Sequence, residues 1–264
     1  MGTGMRKSTA TENREYQEWV TTWARKVLRV LRPGAWAFTC MTPRQDVCYR
    51  TAAGLEDAGL DLSFSPIYWT YATGFPKAMK LGDGSYSGMQ LKPAVEVVSV
   101  AMKPLAEKTY KAQALSNGHG CTWLDDCRIP FPDSQGSRFP ANLLVSDAAL
   151  GAYSRFFSLD AWAERTLPFL IVPKPSQREK NHGLEGANPH GTVKPIQLMS
   201  YLITMGSRPG DTVLDCFLGS GTTGIAAAQL DRRFIGIELD PQYFETAKKR
   251  IDAWKDKIAW KEGA

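Results

Sequence analysis

Residues 212–240, TVLDCFLGSGTTGIAAAQLDRRFIGIELD, constrain the fold of this chain more than any other stretch. A short apolar run ends near Asp215, Gly219-Ser220-Gly221-Thr222-Thr223-Gly224 matches a G-x-G-x-x-G pattern, and a second apolar run ends at Glu238. The spacing predicts a strand at 212–216, a glycine turn, a helix, a strand at 233–238 and a helix from Pro241. Strands alternating with helices commit the chain to an α/β architecture with a mainly parallel sheet covered on both faces. Glu238 follows the first glycine by about 20 residues, as in a dinucleotide-binding unit. The glycines let a ligand approach the backbone, the helix N-terminus offers N–H donors, and a carboxylate ending the next strand can accept two ribose hydroxyls. Any adenosine ligand could use that arrangement.

Two features favour S-adenosylmethionine over a nicotinamide dinucleotide. Asp215 lies at the end of the first strand, where a carboxylate can meet a cationic amino-acid tail but repels a pyrophosphate. Only a helix remains after Glu238, so the other strands of the sheet must come from earlier in the chain, in circularly permuted order. Those earlier segments are legible. Tyr16, Trp19, Val20, Trp23, Val27 and Val30 recur at helical steps from Asn13 until Arg32-Pro33-Gly34 stops them. AWAFTC (35–40) suits a buried strand, Thr42-Pro43 a helix start running through Leu55 to a stop at Gly59, and residues 60–71 another strand. AVEVVSVA (94–101) is one more strand, and a helix is expected at about 195–205. Residues 1–12 read as a flexible tail, 13–104 as the first part of the main domain, 105–180 as an insertion of weak periodicity, and 181–264 as the cofactor-binding part.

Composition adds little. A formal charge of +5 permits a polyanionic partner without demanding one. Five cysteines without paired spacing, and no charged-then-apolar leader, read as a reducing, cytoplasmic setting. His119, Cys121 and Cys127 make only three ligands at a spacing of no familiar zinc module, so no metal is expected. No apolar run reaches the roughly 18 residues of a membrane span.

DCFLGSGTTG resembles the cofactor loop of amino-group DNA methyltransferases, commonly D-P-F-x-G-S-G-T-T, and HGTVKP resembles the H-P-T-x-K-P segment preceding it in their permuted (β) class. VLRVLRPGAW, LKPAVEVVSVAMKP and PKPSQREKN extend the likeness to phage and bacterial site-specific enzymes over nearly the whole chain. Cys216 replaces the usual proline and Gly191 the second residue of the other segment. The resemblance implies a Rossmann-like S-adenosylmethionine-dependent fold with an inserted target-recognition region at 105–180. It implies methyl transfer to the exocyclic amine of adenine or cytosine in duplex DNA, with the base extruded from the stack. By similarity, the backbone around Phe217, Gly219, Ser220, Gly221, Thr222 and Thr223 would lie along the cofactor. Asp215 would meet its amino group, Thr192 and Lys194 its carboxylate, and Glu238 its ribose. Lys174, Arg178 and Lys180 would meet DNA phosphates, with Lys248, Lys249 and Arg250 as the next candidates.

The family's catalytic D/S/N-P-P-Y/F/W tetrapeptide belongs on a strand before the helix leading into VLRPG. Only some 25 residues precede Val27, and they contain no proline. Ser65-Pro66-Ile67-Tyr68 is close to that tetrapeptide but falls two elements too late, on a run whose Leu62, Phe64, Ile67 and Trp69 suit a covered strand. Ser65, Pro66 and Tyr68 are therefore expected to be structural, and Tyr68 to pack in the core. Asp240-Pro241-Gln242-Tyr243 reads as a helix cap. The chain reads as one starting after its catalytic strand. A complementary subunit would supply it, the chain would be truncated or its start misplaced, or it would be a non-catalytic cofactor- and DNA-binding subunit or relic; the expected partners are duplex DNA and such a subunit or a homodimer. A small-molecule or RNA methyltransferase would not need the 105–180 insertion.

Overall fold

The structure, a computed structural model, describes residues 9–72, 78–87, 91–132, 135–167 and 177–262. In chain order the elements are α1 (Ala10–Val30), β1 (Trp36–Met41), α2 (Gln45–Asp57), β2 (Ile67–Thr70), β3 (Lys80–Gly82), β4 (Ser85–Tyr86), β5 (Val95–Met102) and α3 (Tyr110–Asn117). They continue with β6 (Ile129–Pro130), β7 (Ser137–Arg138), β8 (Leu143–Val145), α4 (Leu159–Thr166), α5 (Gln177–Asn181), α6 (Ile196–Gly206), β9 (Thr212–Asp215), α7 (Thr222–Gln229), β10 (Arg233–Gly236) and α8 (Pro241–Glu262). Two compact units result, one formed by 1–121 and 141–151, the other by 122–140 and 152–264. The expected insertion at 105–180 is therefore divided between them.

In the first unit the sheet order is β1-β5-β2-β8. Both neighbours of β5 run antiparallel to it, and β2–β8 is the one parallel pairing. This sheet is mixed rather than mainly parallel. Among the described residues the connection between β2 and β5 holds the β3–β4 hairpin and no helix, consistent with strands that run in opposite senses. α1 begins at Ala10, earlier than the periodicity suggested. Thr9 caps it, its side chain accepting from the Glu12 N–H while the Glu12 carboxylate accepts from the Thr9 N–H. Residues 1–8 of the expected tail lie outside the described residues. α2 begins at Gln45, not behind a Thr42 cap. Asp46 supplies the first-turn acceptor, taking the Val47 N–H and the Arg44 guanidinium. The two helices pack over Val20, Ala24, Leu55, Ala58, Leu60 and Ala101.

The strand expected at 60–71 shrinks to β2. Asp61 turns its carboxylate onto the N–H and hydroxyl of Ser63, and Pro66 lacks a ladder donor. Ser65 is exposed beside Pro66, whose carbonyl accepts from Asn142. Ile67 and Trp69 are buried, but Tyr68 alternates outward and is 39% exposed. Its expected core position is corrected accordingly. The RFPANLLVSD segment, assigned to the insertion, places β8 in the main sheet beside β2.

The second unit pairs β9 and β10 in parallel, Asp215 opposite Gly236, with α6, α7 and α8 packed around Ile196, Ile203, Ile225, Ala226, Ala227 and Trp254. No described helix is long and apolar enough to cross a membrane.

Candidate cofactor site

β9 and β10 stay laced beyond their last rungs. The Ile237 N–H donates to the Asp215 carbonyl at 2.8 Å and the Leu218 N–H to the Ile237 carbonyl at 3.0 Å. The glycine turn is thereby held across the end of β10. Glu238 accepts from the Gly219 N–H at 2.7 Å through one oxygen and from the Leu239 and Asp240 N–H groups through the other. Asp215 accepts from the Phe217 N–H at 2.9 Å and the Thr223 hydroxyl at 2.6 Å. A carboxylate offers about four acceptor sites, so both keep capacity for a ligand.

The glycines have two different reasons. Gly219 (φ +55°) lies under His190, whose Nε2 would stand 2.9 Å from a β-carbon placed there. Gly221 (φ +85°) caps α7, and a β-carbon there would meet the backbone of Ala247 in α8 at 3.0 Å. Its need for glycine thus comes from helix packing rather than from ligand approach. The side chains of Ser220, Thr222 and Thr223 are buried. Arg250, 0% exposed, donates to the Ser220 carbonyl, to the Ser220 hydroxyl at 3.0 Å and to the Thr222 hydroxyl at 3.5 Å. These three residues hold the turn, whereas Phe217 is half exposed.

His190 orders the other wall. Its N–H donates to Asn188, its Nδ1 accepts from the Thr192 N–H at 3.3 Å, and its ring meets Tyr243 edge-on at 4.8 Å. Burial, with Lys194 nearby, pushes its imidazole pKa down despite the opposing pull of Glu238. Lys194 donates to the Thr192 carbonyl at 3.4 Å. Thr192 and Lys194 thus reach the turn through His190. Beneath it Glu179 is buried, accepting from the Ile196 N–H at the start of α6, while Arg250 donates to the Glu179 carbonyl. Desolvation raises the Glu179 carboxyl to about 7. Burial, then the Asp215 charge, raises the Cys216 thiol pKa, which keeps it a neutral thiol.

His190 and Glu179 were not singled out as site residues from sequence, and Arg250 only as an alternative DNA contact. HGTVKP contains His190, but nothing local marks Glu179 or Arg250, which meet only when α5 and α8 pack. Lys174 lies outside the described residues, Arg178 is described only as backbone within α5, and Lys180 contributes its carbonyl to Asn188. Arg250, enclosed beneath the turn, is removed as a DNA contact. Asp240 caps α8 as expected, accepting from the Gln242 and Tyr243 N–H groups.

A DNA methylase family model, N6_N4_Mtase, matches residues 4–249. The chain belongs to that DNA methylase family. The Streptococcus pneumoniae type II methyltransferase M2.DpnII is 46% identical over 67 residues, 25% of this chain and 25% of the relative. The Bacillus subtilis type II methyltransferase M.BglI is 37% identical over 94 residues, 36% of this chain and 24% of the relative. The chain thus spans about a quarter of the length of the curated relatives it matches. In fold, this DNA methylase family member resembles the PvuII cytosine-N4-specific DNA methyltransferase at a TM-score of 0.60 and 19% identity, covering 97% of this chain and 80% of that one. It also resembles M1.HpyAVI, solved as a complex with S-adenosylmethionine, at a TM-score of 0.53 and 24% identity, covering 92% and 85%. The α/β, Rossmann-like architecture expected from the glycine turn is that of these structures.

Proposed function

We propose that the chain binds S-adenosylmethionine at the glycine turn and serves methylation of an adenine or cytosine exocyclic amine in duplex DNA. The observation that carries this reading is that Asp215 and Glu238 both accept from N–H groups of the glycine turn, while His190, packed over Gly219, feels the charges of both Glu238 and Lys194. A zwitterionic amino-acid tail needs a carboxylate and a cation, and a ribose needs a further acceptor; this donor set fits all three. Asp215 would hold the ammonium, Thr192 and Lys194 the carboxylate, and Glu238 the ribose, beside Phe217. When bound, the sulfonium supplies an electrophilic methyl group.

Membership of the family and the S-adenosylmethionine complex of M1.HpyAVI support the reading. In it, the catalytic D/S-P-P-Y/W strand comes from another segment or from a complementary subunit. A second reading, a non-catalytic cofactor- and DNA-binding subunit, is favoured by the positions of both look-alike tetrapeptides. Ser65–Tyr68 leads into β2, and Asp240–Tyr243 caps α8.

Calorimetry with S-adenosylmethionine tests the site. Lys194→Met removes a charged donor worth about 1.5–3 kcal/mol and should weaken binding at least tenfold. Equal affinity in the variant would sink the carboxylate assignment. Labelled methyl transfer to bacterial DNA, with and without neighbouring gene products, separates the two readings.

A further inference from the structure

Arginines and aromatic rings converge on the second unit, away from the glycine turn in sequence. The β6–β7 hairpin and the 151–156 turn bring the Arg138 guanidinium between Phe131 and Phe156, 4.4 and 4.5 Å from their centroids. Arg155 lies 5.1 Å from the Phe156 centroid, and Tyr153 stacks on Phe156 at 6.4 Å. Arg128 stands 5.9 Å from Phe139 and donates to Ser137. Arg165 of α4 reaches the Arg128 carbonyl, and Arg138 the Arg155 carbonyl. The outermost groups are open to solvent: Tyr153 is 71% and Phe139 60% exposed, and Arg155 and Arg165 are also exposed.

A surface made only to close a core would turn its rings inward. Here four guanidiniums gather, and among the described residues the one ion pair made by any of them is Arg128 with Asp125. A guanidinium stacked on a ring leaves its edge donors aimed sideways in a fixed fork, the geometry that takes a phosphate. An exposed ring beside such forks offers apolar surface to base edges and thymine methyl groups in a groove.

We propose that this surface grips duplex DNA, Arg155 and Arg165 taking backbone phosphates while Tyr153 and Phe139 pack against base edges in a groove. The proposal rests on DNA being the substrate, and it moves the contact from Lys174, Arg178 and Lys180 to residues 128–165. None of its residues belongs to the cofactor site.

The test is fluorescence anisotropy of a labelled duplex bound by the full chain across a range of salt concentrations. Melting temperature and S-adenosylmethionine affinity serve as controls. Arg155→Gln with Arg165→Gln should lower duplex affinity and make the log–log salt slope shallower by about two, since each phosphate contact contributes about 0.9. Arg155→Lys should keep the slope and lose part of the affinity. Tyr153→Ala should weaken binding roughly tenfold, the range of one lost base contact in a duplex, and Tyr153→Phe should restore it. All variants should melt and bind S-adenosylmethionine as wild type does. Wild-type duplex binding with unchanged slope and affinity in the arginine variant overturns the location, and a loss confined to Lys248→Gln with Lys249→Gln places it on α8. No duplex binding by the wild type, with cofactor binding intact, overturns the DNA reading together with this surface. Tighter binding to RNA than to the duplex overturns the choice of partner.

Discussion

Arg250 and Glu179 carry more of the site than their positions in the sequence suggest. Arg250 holds the turn carbonyl at Ser220, and Glu179 caps α6, both out of reach of water. Arg250→Met strips the turn of its donor and removes the larger of the two cationic influences on Glu179, Lys180 being the other. Loss of one member of a buried charged network costs about 3–5 kcal/mol, which a urea unfolding midpoint would register. The Glu179 carboxyl titrates at about 7, above its ordinary 4.5, because burial disfavours its charge. Between those values the folded state holds the proton that the unfolded state has released, so its contribution to stability falls as pH rises from 4.5 through 7. Glu179→Gln keeps an acceptor for Ile196 without the charge and should flatten that slope relative to wild type. Parallel slopes in the two proteins would show that the carboxyl does not titrate there. Asp215, Glu238 and Asp240 were legible because each acts within a few residues or at a fixed motif spacing. Glu179 and Arg250 were not, because their partners lie 17 and 30 residues away and arrive only by packing.

At the scale of elements, Gly54 sets helix propensity against packing. It sits in the interior of α2, where alanine would ordinarily gain about 1 kcal/mol. Here a β-carbon would stand 2.8 Å from the Val20 side chain and 2.9 Å from the Gln17 carbonyl of α1. Parting two packed helices costs about 1–3 kcal/mol, so Gly54→Ala should destabilise the protein despite its better propensity. A raised urea midpoint would mean that α1 yields without cost. The elements themselves were largely legible: α1, β1, β5, α6, β9, α7 and α8 follow clear periodicity, glycine stops or proline starts. β2 and β8 were not. An apolar run from 60 to 71 cannot reveal that Asp61 folds back on Ser63, and a three-residue strand such as β8 has no period to detect. The mixed sheet was hidden for a related reason, since strand direction depends on whether the connection is a helix or a hairpin.

For the molecule as a whole, the proposed cofactor residues all fall in one compact unit, while Ser65, Pro66 and Tyr68 fall in the other. Each unit has its own buried cluster, Val20, Leu55 and Ala101 in one and Ile196, Ile225 and Trp254 in the other. A ligand stabilises only the states that bind it, by about 2.7 kcal/mol at a hundredfold excess over its Kd. S-adenosylmethionine should therefore slow amide hydrogen exchange most in the β9–α7 turn, β10 and the first turns of α8. Its effect on α1 and α2 should be smaller, because local opening there need not release the ligand. Glu238→Ala should lose both the protection and the affinity, since Glu238 holds the Gly219 N–H as well as the proposed ribose. The decisive comparison is exchange with and without saturating S-adenosylmethionine, read peptide by peptide. Protection confined to the first unit would place the cofactor elsewhere. Equal protection of both units would mean that they open as a single cooperative body, with the turn coupled to α1 and α2 through global unfolding alone.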